Sequence, residues 1–171
     1  MTLRVGITTL PYGDEALELV REAERLGVDS LWVPEFWAFD ALTPLAFVAA
    51  HTSRIRLATG IAQLGARSPA MLAMSAMSLQ ALSGGRFVLG IGASGPQVME
   101  GWHGVPFTRP VQRTRETIEI VRQVAAGSGS ATTARCTSCR CPAGRAAASA
   151  RWRRRSTCRS TWRRSGRPTC G

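Results

Sequence analysis

The first 124 residues predict an α/β fold in which parallel strands are each followed by a helix, about four βα units in all. Three observations carry this expectation. Short apolar runs alternate with longer helical patterns, an order that implies parallel pairing through right-handed crossovers. Helix starts are marked twice by a hydroxyl residue followed by Pro, at Thr43-Pro44 and Ser68-Pro69. Helix ends are marked by Gly, at Gly27 and Gly84-Gly85.

The first strand is expected over Leu3 to Thr8, where Leu3, Val5 and Ile7 alternate, and Pro11-Tyr12-Gly13 breaks it. Asp14 is read as the cap of a helix to Leu26, with Leu17, Val20 and Ala23 at helical spacing. Glu15 and Glu18 in its first turn and Arg25 in its last suit the helix dipole. A second strand is expected over Ser30 to Val33 and a second helix from a Thr43 cap to about His51. Ile55 to Gly60 is the third strand, Ser68-Pro69 opens a helix through Leu82, and Phe87 to Leu89 is the fourth strand. A Gly-rich loop from Gly90 to Gly95 follows, and Val111 to Val124 is a last amphipathic helix. Periodicity alone leaves two architectures open: a doubly wound sheet, or half of a barrel.

Composition divides the chain. The whole has 22 basic residues, all Arg, against 11 acids, a net charge of +11, which by itself would suggest nucleic acid or an anionic membrane. Residues 1–124 carry 11 Arg and 11 acids, so that suggestion does not apply to them. Residues 125–171 carry the other 11 Arg, no acid, and all five cysteines: Cys136, Cys139, Cys141, Cys158 and Cys170. No apolar run reaches the ~18 residues of a membrane span. The N-terminus lacks the pattern of a secretion signal, so a cytoplasmic location is expected.

Gly90-Ile91-Gly92-Ala93-Ser94-Gly95 matches G-x-G-x-x-G. As a dinucleotide fingerprint it would sit on the first strand, with an acid roughly 20 residues on; here it follows the fourth strand and lacks that acid. Two readings remain, a tight turn without a ligand or a phosphate loop of another fold. In the second, free backbone N–H groups and the Ser94 hydroxyl would meet phosphate oxygens.

Four further stretches are specific. They are Arg54-Ile55-Arg56-Leu57-Ala58-Thr59-Gly60-Ile61, Ala66-Arg67-Ser68-Pro69-Ala70-Met71-Leu72-Ala73, Leu82-Ser83-Gly84-Gly85-Arg86-Phe87-Val88-Leu89-Gly90-Ile91-Gly92, and Ser94-Gly95-Pro96-Gln97-Val98 with Gly101-Trp102-His103-Gly104. In order and spacing, residues 3 to about 124 resemble the luciferase-like oxidoreductases, and the last stretch resembles their coenzyme-F420-using branch. The resemblance implies the N-terminal half of a (β/α)8 TIM-like barrel, with the cofactor at the C-terminal ends of the strands. It implies F420, or alternatively FMN, held by Thr59, Gly60, Ile61, Gly92, Ala93, Ser94 and Gly95, with a non-prolyl cis peptide at Gly60-Ile61. It also implies hydride transfer with a small-molecule substrate, a homodimer once the barrel is whole, and Phe36 and Trp37 on the substrate side. Some F420 users of this family carry a His in this segment; Phe36 stands in its place here, which leaves Glu35 as the acid–base candidate or as a solvated loop carboxylate. His51 is read as a helix C-terminal dipole partner, and His103 as either structural or site-lining.

The tail has three readings. A zinc module is disfavoured by the cysteine spacing, because a ribbon or finger wants two separated pairs. A basic nucleic-acid arm rests on runs such as Arg151-Trp152-Arg153-Arg154-Arg155. The third, preferred, is an out-of-frame segment. In a displaced frame Cys and Trp codons become mostly Leu, Val or Met, and CGN Arg codons become Ala, Pro, Ser or Thr. The strings so obtained resemble the family's sequence beyond the fourth βα unit. On that reading residues 125–171 form a disordered basic tail, and the truncated chain is inactive.

Overall fold

A computed structural model describes residues 3–127, and the expectations about the tail fall outside those residues. Four strands form one parallel sheet: β1 (Gly6–Thr8), β2 (Ser30–Val33), β3 (Arg56–Thr59) and, after a two-residue strand β4 (Ala62–Gln63), β5 (Phe87–Val88). Their order in the sheet is the order in the chain, β1-β2-β3-β5. Ile7, Leu31, Leu57 and Phe87 lie in one row across it, and Thr8, Trp32, Ala58 and Val88 in the next.

The first row faces the helices. Leu31, Val33 and Leu57 are fully buried against Leu17 and Val20 of α1 (Asp14–Arg25), Leu45 and Val48 of α2 (Leu42–His51), and Leu72 and Leu79 of α3 (Pro69–Leu82). In the second row Thr8, Trp32 and Val88 are exposed. A doubly wound sheet reverses its strand order and covers both faces. This sheet winds in one direction with its helix-packed core on one face, as half of a (β/α)8 barrel does.

Most element boundaries fall within two residues of expectation, while the first strand is shorter, beginning at Gly6. Two caps differ. Asp14 is the first residue of α1 and Gly13 its cap. Thr43 lies inside α2, and the capping carboxylate is Asp40, whose Oδ1 accepts from Leu42 N at 2.8 Å and Thr43 N at 2.7 Å. The carboxylate precedes the helix and reaches two orphan N–H groups, one of them that of Thr43, which is already the second residue of the helix. Ser68 caps α3 as expected, accepting from Met71 N at 3.2 Å. Gly27, at φ +85, closes α1, with Val28 N donating to Ala23 O at 3.0 Å.

The Gly90–Gly95 segment is not all loop. It contains β6 (Ile91–Gly92), which pairs in parallel with β4, and it leads into a single turn, α4 (Pro96–Met99). The closing helix α5 (Pro110–Ala125) packs against α3. Among the described residues no helix is long and apolar enough to cross a membrane.

Candidate functional site

Because the strands are parallel, the chain leaves each of them at the same edge of the sheet. Three segments therefore meet there: the loop after β2, the turn from β3 into β4, and β6 with the loop behind it.

The turn after β3 contains a cis peptide bond at Gly60-Ile61, where the family resemblance placed one. Gly60 N donates to Val33 O at 2.8 Å, and a Cβ at Gly60 would lie 3.4 Å from the Trp32 ring. Thr59 is fully buried, and its hydroxyl accepts from Gly90 N at 2.9 Å and donates to Gly90 O at 2.7 Å. That side chain is consumed in tying β3 to Gly90, so Thr59 backs the site rather than facing into it.

Gly90 has no room for a side chain, because a Cβ would collide with the Thr59 carbonyl. At Gly92 a Cβ would lie 3.0 Å from the Ile61 side chain. Ser94 is left-handed at φ 58, a conformation uncommon outside glycine. The backbone N–H groups of Ala93, Ser94 and Gly95 meet no acceptor among the described residues. This cradle of small residues fits an oxygen-rich group such as a phosphate.

The loop after β2 behaves differently from expectation. Glu35 is not a solvated carboxylate: its side chain is only 5% exposed. Oε1 pairs with Arg67 Nη2 at 2.7 Å, and Oε2 accepts from Gln63 N at 2.7 Å. Arg67 also reaches Asp40 at 3.6 Å, while its Nη1 is buried without a hydrogen-bond partner. Burial works against ionisation of Asp40, but N–H donation from Thr43 and Leu42 and the nearby Arg67 outweigh it and hold its pKa below the ordinary value. Both carboxylates of this loop are thus committed to protein partners.

Phe36 and Trp37 are half-exposed at the rim, as are Phe39 and Trp102. Tyr12 stacks on Phe39 at 4.5 Å, and Trp37 meets Trp102 edge-on at 6.0 Å. The Trp contact joins the loop after β2 to the segment after α4. A second link does the same: His103 Nε2 is 2.8 Å from Gln63 Oε1, and Gln63 Nε2 donates to Glu35 O at 3.0 Å. Arg67, Glu35, Gln63 and His103 form one continuous line. Arg67 and Gln63 were not singled out by the sequence, and a basic residue just before the Ser68-Pro69 start was the one available hint. His51 sits apart, its Nδ1 on Phe47 O at 2.8 Å in the last turn of α2.

In the Leu82–Gly92 stretch, the first part up to Phe87 is structural. Arg86 donates to the carbonyls of Ala49, Thr52, Ile55 and Ser83 and to the Thr52 hydroxyl, at 2.7–3.1 Å. It ties the ends of α2 and α3 to the start of β3.

The sequence profile described as luciferase-like monooxygenase matches residues 2–151. A Mycobacterium tuberculosis protein, provisionally named a coenzyme F420-dependent oxidoreductase, is 52% identical over 117 residues, covering 68% of this chain and 34% of its own length. The 4-hydroxyprotoasukamycin monooxygenase of Streptomyces nodosus subsp. asukaensis is 33% identical over 117 residues, 65% of this chain and 32% of that protein. Among solved structures, the coenzyme F420 dependent tetrahydromethanopterin reductase of Methanopyrus kandleri superposes with a TM-score of 0.63 at 25% identity, over 72% of this chain and 40% of that one. The chain spans about a third of the length of the curated relatives it matches.

Proposed function

Because the chain belongs to the luciferase-like monooxygenase family, we propose that its strand ends form part of an oxidoreductase site for coenzyme F420 and a small organic substrate. The observation that carries this is the junction of two segments: β4–β6 pairing sets Gly92 against Ile61, directly after the Gly60-Ile61 turn. In this reading Gly60 and Ile61 back the deazaflavin ring, Gly92 gives room beside Ile61, and the N–H groups of Ala93, Ser94 and Gly95 with the Ser94 hydroxyl take a phosphate. The bound cofactor supplies two-electron hydride chemistry, which side chains do not offer. The chain's own part is to orient and to exclude water. Phe36, Trp37 and Trp102 give an apolar rim, and with Glu35 and Asp40 already paired that rim suits an uncharged substrate. Glu35 then acts by holding Gln63 and Arg67 in place rather than by moving a proton. The setting is cytoplasmic.

Titration of the 171-residue chain with F420, followed by cofactor fluorescence, tests this. Saturable binding that weakens at least tenfold in Ser94→Leu is expected, and no binding of F420 or FMN would sink the reading. FMN is the second candidate, favoured by the monooxygenase relative, and tighter binding of FMN than of F420 would select it. We further infer that the barrel portion ends near residue 124 and that residues 125–171 are out of frame. Sequencing the gene across this boundary decides: the displaced frame should run on openly. If it is closed by stops, the tail should instead be assayed for salt-sensitive nucleic-acid binding that disappears on its deletion.

A further inference from the structure

Hydride transfer to or from a carbon that bears oxygen or nitrogen requires a proton to leave or reach that heteroatom, so the site needs an acid–base group. The carboxylates at this edge are spent. Glu35 is paired with Arg67 and Gln63, Asp40 caps α2, and Glu100 accepts from Phe107 N at 2.9 Å. Tyr12 donates its hydroxyl to Asp40 O at 3.2 Å; burial first, then Asp40 and Glu35, raise its pKa. One further titratable group remains in the network that joins these loops, His103.

Its tautomer follows from its partner. Gln63 Nε2 lies 3.0 Å from the Glu35 carbonyl, which can only accept. The amide oxygen therefore faces His103, and at 2.8 Å the imidazole Nε2 must be the donor. Neutral His103 then carries its hydrogen on Nε2 and a lone pair on Nδ1, which has no partner among the described residues. His51 has the opposite arrangement, because its Nδ1 faces the Phe47 carbonyl and must donate. Beside His103, Trp102 meets Trp37 of the substrate-side loop.

We propose that His103 Nδ1 is the proton-exchanging group of this site and that Gln63 is the positioning residue that leaves that nitrogen free. This rests on the oxidoreductase reading above. In the oxidising direction the substrate carbon gives up a hydride to the F420 or FMN ring. The proton on the attached oxygen or nitrogen passes to Nδ1, and a C=O or C=N bond forms. The reverse direction returns the proton from the same nitrogen. Glu35 and Arg67 contribute by fixing Gln63.

The test needs no turnover. The full chain is labelled with 15N-histidine and read by long-range 1H–15N correlation well above the ordinary imidazole pKa of about 6.5. His51→Gln assigns the two rings. His103 should be the Nε2–H form and His51 the Nδ1–H form, and Gln63→Leu should convert His103 to a mixture. In His51→Gln, acylation of His103 by diethyl pyrocarbonate should slow severalfold when F420 or FMN saturates the chain. If a cofactor binds but His103 is the Nδ1–H form, or is acylated at an unchanged rate, the role is overturned and the oxidoreductase reading stands. If neither cofactor binds, that reading falls and the role falls with it.

Discussion

Replacing Glu35 by alanine removes the carboxylate that joins Arg67 to the Gln63 backbone, while the main-chain carbonyl still holds the Gln63 amide. The pair the carboxylate forms with Arg67 is 5% exposed on one side and 17% on the other. Deleting one partner of a buried pair costs roughly 3–5 kcal/mol, because the other charge is left without compensation. Asp40, 3.6 Å from the same guanidinium, retains part of that compensation and moves the figure to the low end. Against this, the buried Gln63 N–H loses its acceptor, which costs roughly 1–3 kcal/mol if no water replaces it. The two effects overlap, and a total of about 4 kcal/mol follows. Urea unfolding read by tryptophan fluorescence would show it as a lower midpoint at unchanged slope. The sharper test is the pair Glu35→Leu with Arg67→Met. Removing both charges should recover most of the loss, since an apolar pair of similar volume carries no buried unpaired ion. A Glu35→Ala cost below about 1 kcal/mol, or Glu35 and Arg67 effects that simply add, would refute the reasoning.

Three other outcomes are expected. Glu24 Oε1 accepts from Ser53, Arg54 and Ile55 N–H at 2.6–2.9 Å; burial raises its pKa, but these donors and Arg54 outweigh that and leave it lowered. A lowered folded-state pKa gives stability that is present above the unfolded value of about 4.3 and is lost as pH falls through the folded one. Acid unfolding of Glu24→Gln should accordingly be less steep, although all three donors keep an oxygen. Gly90→Ala places a methyl group against the fixed Thr59 carbonyl, whereas Gly65→Ala meets only the flexible end of Met99. Thermal unfolding should show the first costing about 3 kcal/mol and the second about 1. Arg86→Lys keeps the charge but cannot serve five acceptors spread over two helix ends and the start of β3, so a loss of about 2–3 kcal/mol in urea unfolding is expected.

Elements whose signals are local were legible in the sequence. The helix-facing row Ile7, Leu31, Leu57 and Phe87 lies in four apolar runs, Ser68-Pro69 starts α3, and Gly27 stops α1. Where two residues compete for one role, sequence order did not decide it. Asp40 rather than Thr43 caps α2, because the carboxylate sits before the first turn and reaches two N–H groups. β4 and β6 are two residues long each, too short for a period to show. The choice between an open sheet and a half barrel depends on which face the helices cover, a property of the assembled strands.

The site residues divide in the same way. Gly90 and Gly92 were visible as a motif, yet each is small for a neighbour about thirty residues away: the Thr59 carbonyl for one and the Ile61 side chain for the other. Glu35 was visible as a carboxylate near a strand end, but its partners Gln63 and Arg67 lie about thirty residues on. A carboxylate next to a strand end suggests proton transfer only while its oxygens are free. Once the chain after β3 brings Gln63 and Arg67 alongside, those oxygens are paired, while the main-chain carbonyl of Glu35 holds the Gln63 amide with its oxygen toward His103. On the reading proposed above, Glu35 is the support and His103, whose Nδ1 has no partner among the described residues, is the proton-exchanging group.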